Sequence, residues 1–259
     1  MRFKDKVALI TGAASGIGAA TARLMAAEGA TIFSIDIAAD KLDALVAELG
    51  GKAAGHVADL SEGEQAEAMV DACVAKFGRL DILVNNAGIG SLGKAGDLDP
   101  AQWRKVIAID LDAVFLACRK ALPHLVEAKG SIVTTASISG MGADYGFTAY
   151  NSAKAGVIAL TRNIAIDYAA QGVRANSVSP GPIDTPLMSG MPPELLGEFA
   201  KATPMRRVGK AEEIAKVIAF VASDDASYLT GQNIAVDGGL TAHTGQPDIV
   251  GFLTQAYSR

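Results

Sequence analysis

Val7-Ala8-Leu9-Ile10-Thr11-Gly12-Ala13-Ala14-Ser15-Gly16-Ile17-Gly18 decides the fold of this chain. Five apolar or β-branched residues come first and read as a strand. A turn with three glycines follows, and an Ala-rich helical run opens at Ile17. A strand that is apolar throughout, not alternating, suits a parallel strand covered on both faces. Glycines at a strand–turn–helix junction permit a tight turn and close approach of backbone to a pyrophosphate. The amides at the start of the next helix then face the phosphates.

The same alternation continues along the chain. Strands are expected at Val7–Thr11, Thr31–Asp36, Ala53–Ala58, Ile82–Asn85, Ser131–Thr135, Val173–Val178 and Asn233–Val236. Helices are expected at Ile17–Glu28, Lys41–Leu49, Glu62–Phe77, Gln102–Ala128, Ala149–Ala170 and Ala211–Ser223. Such βαβ units imply an α/β fold, a Rossmann-type doubly wound parallel sheet of about seven strands with helices on both faces. No linker divides the chain, so residues 1–259 are expected to form a single domain. Pro180–Pro204 reads as an irregular loop within it, and Leu240–Arg259 shows no clear periodicity.

Asp36 closes the second strand. A carboxylate there accepts hydrogen bonds from the adenosine ribose hydroxyls and repels a 2′-phosphate. Neither neighbour, Ile37 or Ala38, is basic. The expected cofactor is therefore NAD, with NADP disfavoured.

Composition narrows the remaining classes. Half of the residues are hydrophobic and the net charge is −5. No basic footprint for nucleic acid is present, so no nucleic-acid partner is expected. The charged start Met1–Lys6 shows no signal-like apolar region, and no run nears the ~20 apolar residues of a membrane span. Cys73 and Cys118 have no metal or redox spacing and read as small buried hydrophobes, and His56, His124 and His243 share no ligand spacing. No metal site and no membrane partner are expected, and the localisation implied is cytoplasmic.

Further motifs occur in order: Asp59-Leu60 after the third strand, Asn85-Asn86-Ala87-Gly88 after the fourth, Tyr150-Asn151-Ser152-Ala153-Lys154, and Pro180-Gly181 with Thr185. With the glycine turn, these resemble the short-chain dehydrogenase/reductase family in its shorter single-domain class, over nearly the whole chain. The resemblance implies that Gly12, Ser15, Gly16, Ile17, Gly18, Asp36, Asp59, Leu60, Asn86, Ala87 and Gly88 bind the cofactor. It extends that role to Tyr150, Lys154, Pro180, Gly181, Ile183 and Thr185. It also implies Ser137 as the catalytic serine, with Ser139 a nearby decoy. A small-molecule alcohol or ketone is the implied substrate and a homotetramer or homodimer the implied assembly; residues 186–204 read equally as the substrate lid or as a packed surface helix pair.

The chemistry also follows from the residues. Tyr150 and Lys154 lie one helical turn apart on one face. A tyrosine is a poor base near neutral pH, and a neighbouring ammonium favours its phenolate. Ser137, at the end of the fifth strand, would orient the substrate oxygen and stabilise developing charge. The expectation is an oxidoreductase in which Tyr150 is the acid/base. One departure stands out. Asp110 occupies the place of the family's usual fourth catalytic member, an asparagine. An ionised aspartate accepts but does not donate a hydrogen bond, and it tends to keep Lys154 protonated. Asp144 and Tyr145, on the loop before Tyr150, are candidates for substrate contact. Two other classes stay open: an NAD-dependent epimerase or dehydratase, and a non-enzymatic or weakly active NAD-binding regulatory protein on the same fold.

Overall fold

The structure is a computed structural model that describes residues 1–257. Seven parallel strands form one sheet in the order β3-β2-β1-β4-β5-β6-β9. They are β1 (Val7–Thr11), β2 (Thr31–Asp36), β3 (Ala53–Val57), β4 (Ile82–Asn85), β5 (Ser131–Thr135), β6 (Arg174–Pro180) and β9 (Asn233–Val236). β7 (Ile183–Asp184) and β8 (Gly209–Lys210) form a separate two-residue ladder. The helices are α1 (Gly16–Ala27), α2 (Ala39–Leu49), α3 (Gly63–Phe77), α4 (Pro100–Ile107), α5 (Ala113–Ala128), α6 (Thr148–Tyr168), α7 (Pro193–Ala202), α8 (Ala211–Ala222) and α9 (Ile249–Tyr257). Every expected strand is present in the sheet.

Successive side chains of a strand point to opposite faces. Leu9, Phe33, Leu83 and Ile132 pack on one face with residues of α3, α5 and α6. Ile10, Ile32, Val84 and Val133 pack on the other with residues of α1 and α8. Both faces are covered, which is why β1 and β4 at the centre read as nearly unbroken apolar runs. The edge strands β3 and β9 are only half-buried. Strand order reverses between β1 and β4, and a crevice opens there beyond the carboxyl ends of the strands.

Three stretches differ from the sequence expectation. The long helix expected at Gln102–Ala128 is two helices, joined by a π turn at Ala108–Asp112. Asp99 caps α4 by accepting from the Ala101 amide, and α5 tolerates Pro123 inside it. The loop at Pro180–Pro204 contains β7 and α7. Pro193 at the helix start supplies the fixed φ that suits a first turn, and no residue of α7 is buried. Within Leu240–Arg259, α9 forms and leaves Ile249, Val250 and Phe252 exposed. Among the described residues, no helix is long and apolar enough to cross a membrane.

Candidate active site

A cleft of about 670 Å³ runs along the carboxyl ends of β1, β2, β4, β5 and β6. Its far end is built from backbone. Gly12 and Gly16 hold φ of 62° and 51°, in the left-handed region that favours glycine. A Cβ on Gly12 would lie 2.9 Å from Ala87 Cα. Gly18 does not line the cleft. A Cβ there would lie 2.1 Å from the Gly12 carbonyl oxygen, so Gly18 seats α1 against its own turn. The helix N-terminus carries no side-chain cap and no acidic residue in its first turn. Its orphan amides are therefore left for an anion.

Asn86 buckles this turn to the centre of the sheet. Its side-chain amide donates to the Thr11 and Gly12 carbonyls at 3.1 and 3.3 Å. Thr11 Oγ1 accepts from the Asn86 and Ala87 amides, and Thr135 donates to Asn86 Oδ1 at 3.2 Å. Thr11 was not singled out from the sequence, although it is the polar residue that ends an apolar strand.

Asp36 stands at the cleft wall beyond the glycine turn. Its two oxygens accept from the Ala14 and Ala38 amides at 2.9 and 3.0 Å, which fixes the carboxylate at the end of β2. Asp59 and Leu60 line the same end. Hydrogen bonds from the Ser61 amide and hydroxyl hold the Asp59 carboxyl below the usual range. Lys105, from α4, also faces this end and was missed in the sequence reading, because only the fold brings α4 over the cleft.

The near end is built from side chains. Ser137, Tyr150, Lys154, Pro180, Gly181, Ile183 and Thr185 all line it, as do Ser15, Ile17, Ala87 and Gly88 further along. Tyr150 and Lys154 share one face of α6, and the ammonium lies 5.5 Å from the centre of the tyrosine ring. Gly140 lets α6 approach closely, since a Cβ there would lie 2.5 Å from the Lys154 carbonyl carbon. Ser137 lies in the cleft and Ser139 does not.

Asp110 lies in the π turn behind the cleft wall and is fully buried. Its Oδ1 accepts from the Ile89 amide at 2.9 Å. Its Oδ2 lies 3.2 Å from Lys154 Nζ, with no hydrogen-bond donor aligned on it. Lys154 Nζ donates to the Thr135 carbonyl at 3.2 Å. Burial pushes the Asp110 carboxyl up, opposed by Lys154 and the Ile89 amide. Burial pulls the Lys154 ammonium down, but the charge of Asp110, with help from Tyr150, outweighs it and leaves Lys154 raised. Gly88 makes room for this pair: a Cβ there would lie 2.8 Å from Asp110 Oδ2 and 3.1 Å from Lys154 Nζ.

Leu187 and Met188 close over the near end, and Thr185 sits beside Gly16 at the start of α1. Asp144 and Tyr145 do not line the cleft. Tyr145 is fully exposed, and the Asp144 carboxylate accepts from the Ser139 hydroxyl. Both cysteines are buried, which pushes their thiols up to about 12. Among the described residues, no group of three or more His, Cys, Asp or Glu side chains is placed to hold a metal.

The chain is similar to known proteins over most of its length. A family model described as enoyl-(acyl carrier protein) reductase matches residues 12–241. The meso-2,3-butanediol dehydrogenase of Serratia marcescens is 44% identical, with 96% of this chain and 100% of that protein covered. The cyclohexanol dehydrogenase of Acinetobacter sp. strain SE19 is 43% identical, with 93% and 97% covered. Among solved structures, levodione reductase superposes with a TM-score of 0.90 at 39% identity, over 93% of this chain and 99% of that one.

Proposed function

The chain belongs to the short-chain dehydrogenase/reductase family, and from that premise we propose that it interconverts a small secondary alcohol and its ketone with NAD(H) as the hydride carrier. One observation carries this reading. A single cleft has an uncapped helix N-terminus and the Asp36 carboxylate toward one end, and Ser137, Tyr150 and Lys154 at the other.

The residues present fit a dinucleotide. The α1 amides are free for a pyrophosphate, and Gly12 and Gly16 line the cleft beside them. Asp36 offers acceptors for ribose hydroxyls and a charge that opposes a 2′-phosphate, which supports NAD over NADP. Lys154 would hold the nicotinamide ribose, and Ile183 and Thr185 the carboxamide. When bound, the nicotinamide accepts a hydride from the alcohol carbon or returns it to the ketone.

The chain's own residues handle the proton and the geometry. In oxidation, the Tyr150 oxygen takes the alcohol proton, and in reduction it gives the proton back. Lys154 keeps a positive charge beside Tyr150, and the Asp110 carboxylate keeps Lys154 charged despite burial. Asp110 is thereby a positioning residue for Lys154. Ser137 orients the substrate oxygen and stabilises its developing charge. Residues 186–204 act as a lid that excludes water, with Leu187 and Met188 as its inner face.

The relatives named for butanediol and cyclohexanol favour small neutral substrates, and the apolar lid suits them. We extend the reading to a cytoplasmic homotetramer or homodimer. The exposed Phe115 on α5 and Ile166 on α6 support a subunit contact, and two free buried thiols suit a reducing compartment. The test is NADH absorbance with butane-2,3-diol, cyclohexanol and further secondary alcohols, using NADP and Tyr150→Phe as controls. Turnover with NAD that is absent in Tyr150→Phe supports the reading. Turnover that survives in Tyr150→Phe removes Tyr150 from the acid–base role.

A further inference from the structure

Ser137 is not isolated. Its Oγ accepts from the Ser139 amide at 3.1 Å and lies 3.1 Å from Ser139 Oγ. The Ser139 hydroxyl in turn reaches Asp144 Oδ2. A carboxylate only accepts. The hydrogen between Ser139 and Asp144 is therefore the one Ser139 owns. The hydrogen between the two serines must then belong to Ser137. The chain of hydroxyls runs one way, from Ser137 at the cleft to Asp144 at the surface.

Asp144 is held to this task by its backbone. Its carbonyl accepts from the Asn151 side chain at 3.1 Å and from the Phe147 amide at 3.4 Å. The loop is tied down further by the Gly93 amide, which donates to the Gly146 carbonyl at 2.7 Å. Thr148 donates to the Gly93 carbonyl at 2.9 Å.

We infer that Asp144 is a specificity-determining positioning residue: through Ser139 it turns the Ser137 hydroxyl proton away from the cleft, so that Ser137 meets the substrate as an acceptor. An alcohol brings its own proton and donates to Ser137 at no cost to the chain. A ketone has none, and it receives a hydrogen bond from Ser137 only after that proton leaves Ser139. Asp144 thus favours the alcohol over the ketone in the bound ground state. This inference rests on the substrate-orienting role proposed for Ser137.

The experiment measures KM for both members of the alcohol–ketone pair that the parent turns over fastest, in Asp144→Ala, Ser139→Ala and Asp144→Asn. Asp144→Ala lets Ser139 donate to Ser137 and sends the Ser137 proton into the cleft. Ser139→Ala removes the acceptor for that proton and is expected to act in the same direction. In both, KM for the ketone falls about three- to tenfold relative to KM for the alcohol, the worth of one hydrogen bond. Asp144→Asn keeps an acceptor oxygen for Ser139 and keeps the parental ratio. A loop-holding role alone would raise both KM values together, and that result overturns the inference. An unchanged ratio in both alanine variants overturns it too. Ser137→Ala separates the two levels: if it retains full turnover, the role of Ser137 itself fails.

Discussion

The two ends of the cleft are made differently. The glycine-turn end, from Thr11 to Gly18, is backbone shaped by missing side chains: positive φ at Gly12 and Gly16, and no space for a Cβ at Gly18. The Tyr150 end is side chain on side chain, with Lys154, Asp110 and Ser137 brought from three separate elements. The backbone-built end takes its shape from one local segment, which Asn86 and Asp36 then hold in place. A side-chain site needs α5, α6 and β5 docked together before any of its chemistry exists. The first is therefore set mainly by backbone conformation, and the second by the charges buried around Lys154.

The largest effect is expected from removing one atom at the side-chain end. Tyr150→Phe should lower turnover by about 10²–10⁴-fold. It should leave NADH binding, read by fluorescence titration, close to parental. A parallel loss of binding would show that the two ends are not separable.

Lys154→Met comes next. It leaves the Asp110 carboxyl fully buried with no cation, which costs about 3–5 kcal/mol of stability. Denaturant unfolding checks this. The double variant Lys154→Met/Asp110→Asn should recover most of that stability and none of the activity. If Lys154→Met is as stable as the parent, the buried pair is not a coupled unit.

At the backbone end, Asp36→Ala should weaken NADH by about 10–100-fold, the worth of charged hydrogen bonds to the ribose, and weaken NADPH far less. Equal losses for both cofactors would remove Asp36 as the discriminating group.

Asp110→Asn should give the smallest change, and it appears in pH dependence. In the parent, Asp110 holds the Lys154 ammonium up against burial. Stability from a raised lysine is fully present below its unfolded pKa of about 10.4 and is lost as pH rises through the folded value. Without the Asp110 charge, the largest influence opposing burial is gone and Lys154 falls from its raised value. The alkaline limb of the kcat–pH profile should move to lower pH, and the loss of stability that Lys154 titration gives the parent at alkaline pH should diminish. An unmoved profile would mean that Asp110 does not set the charge state of Lys154.

The legibility of the site follows the same division. Gly12, Gly16 and Asp36 were readable because strand, turn and strand end are consecutive in sequence, and each residue type answers a local backbone or hydrogen-bond need. Tyr150 and Lys154 were readable as a functional pair through the family resemblance; their four-residue spacing puts them on one helical face but by itself suits surface decoration. The π turn at Ala108–Asp112 was not readable. Nothing in Val106–Leu111 breaks helical periodicity, and the extra residue in the turn is accommodated only against α4, α5 and α6. Helix α7 was only half readable: its short amphipathic pattern between prolines suited a lid and a surface helix pair equally. The link from Ser139 to Asp144 was missed because five residues of irregular loop have no period from which to read a contact.

The sequence by itself determined the alternation of strands and helices, the apolar faces of the sheet and the glycine turn. Each depends on periodicity or on the conformational range of a single residue type, and both are local properties. The tertiary structure alone decided that Asp110 is buried against Lys154, that Asn86 ties the glycine turn to β5, and that Asp144 reaches Ser137 through Ser139. Charge burial and hydrogen-bond direction depend on what surrounds a group in space, and those neighbours come from distant parts of the chain.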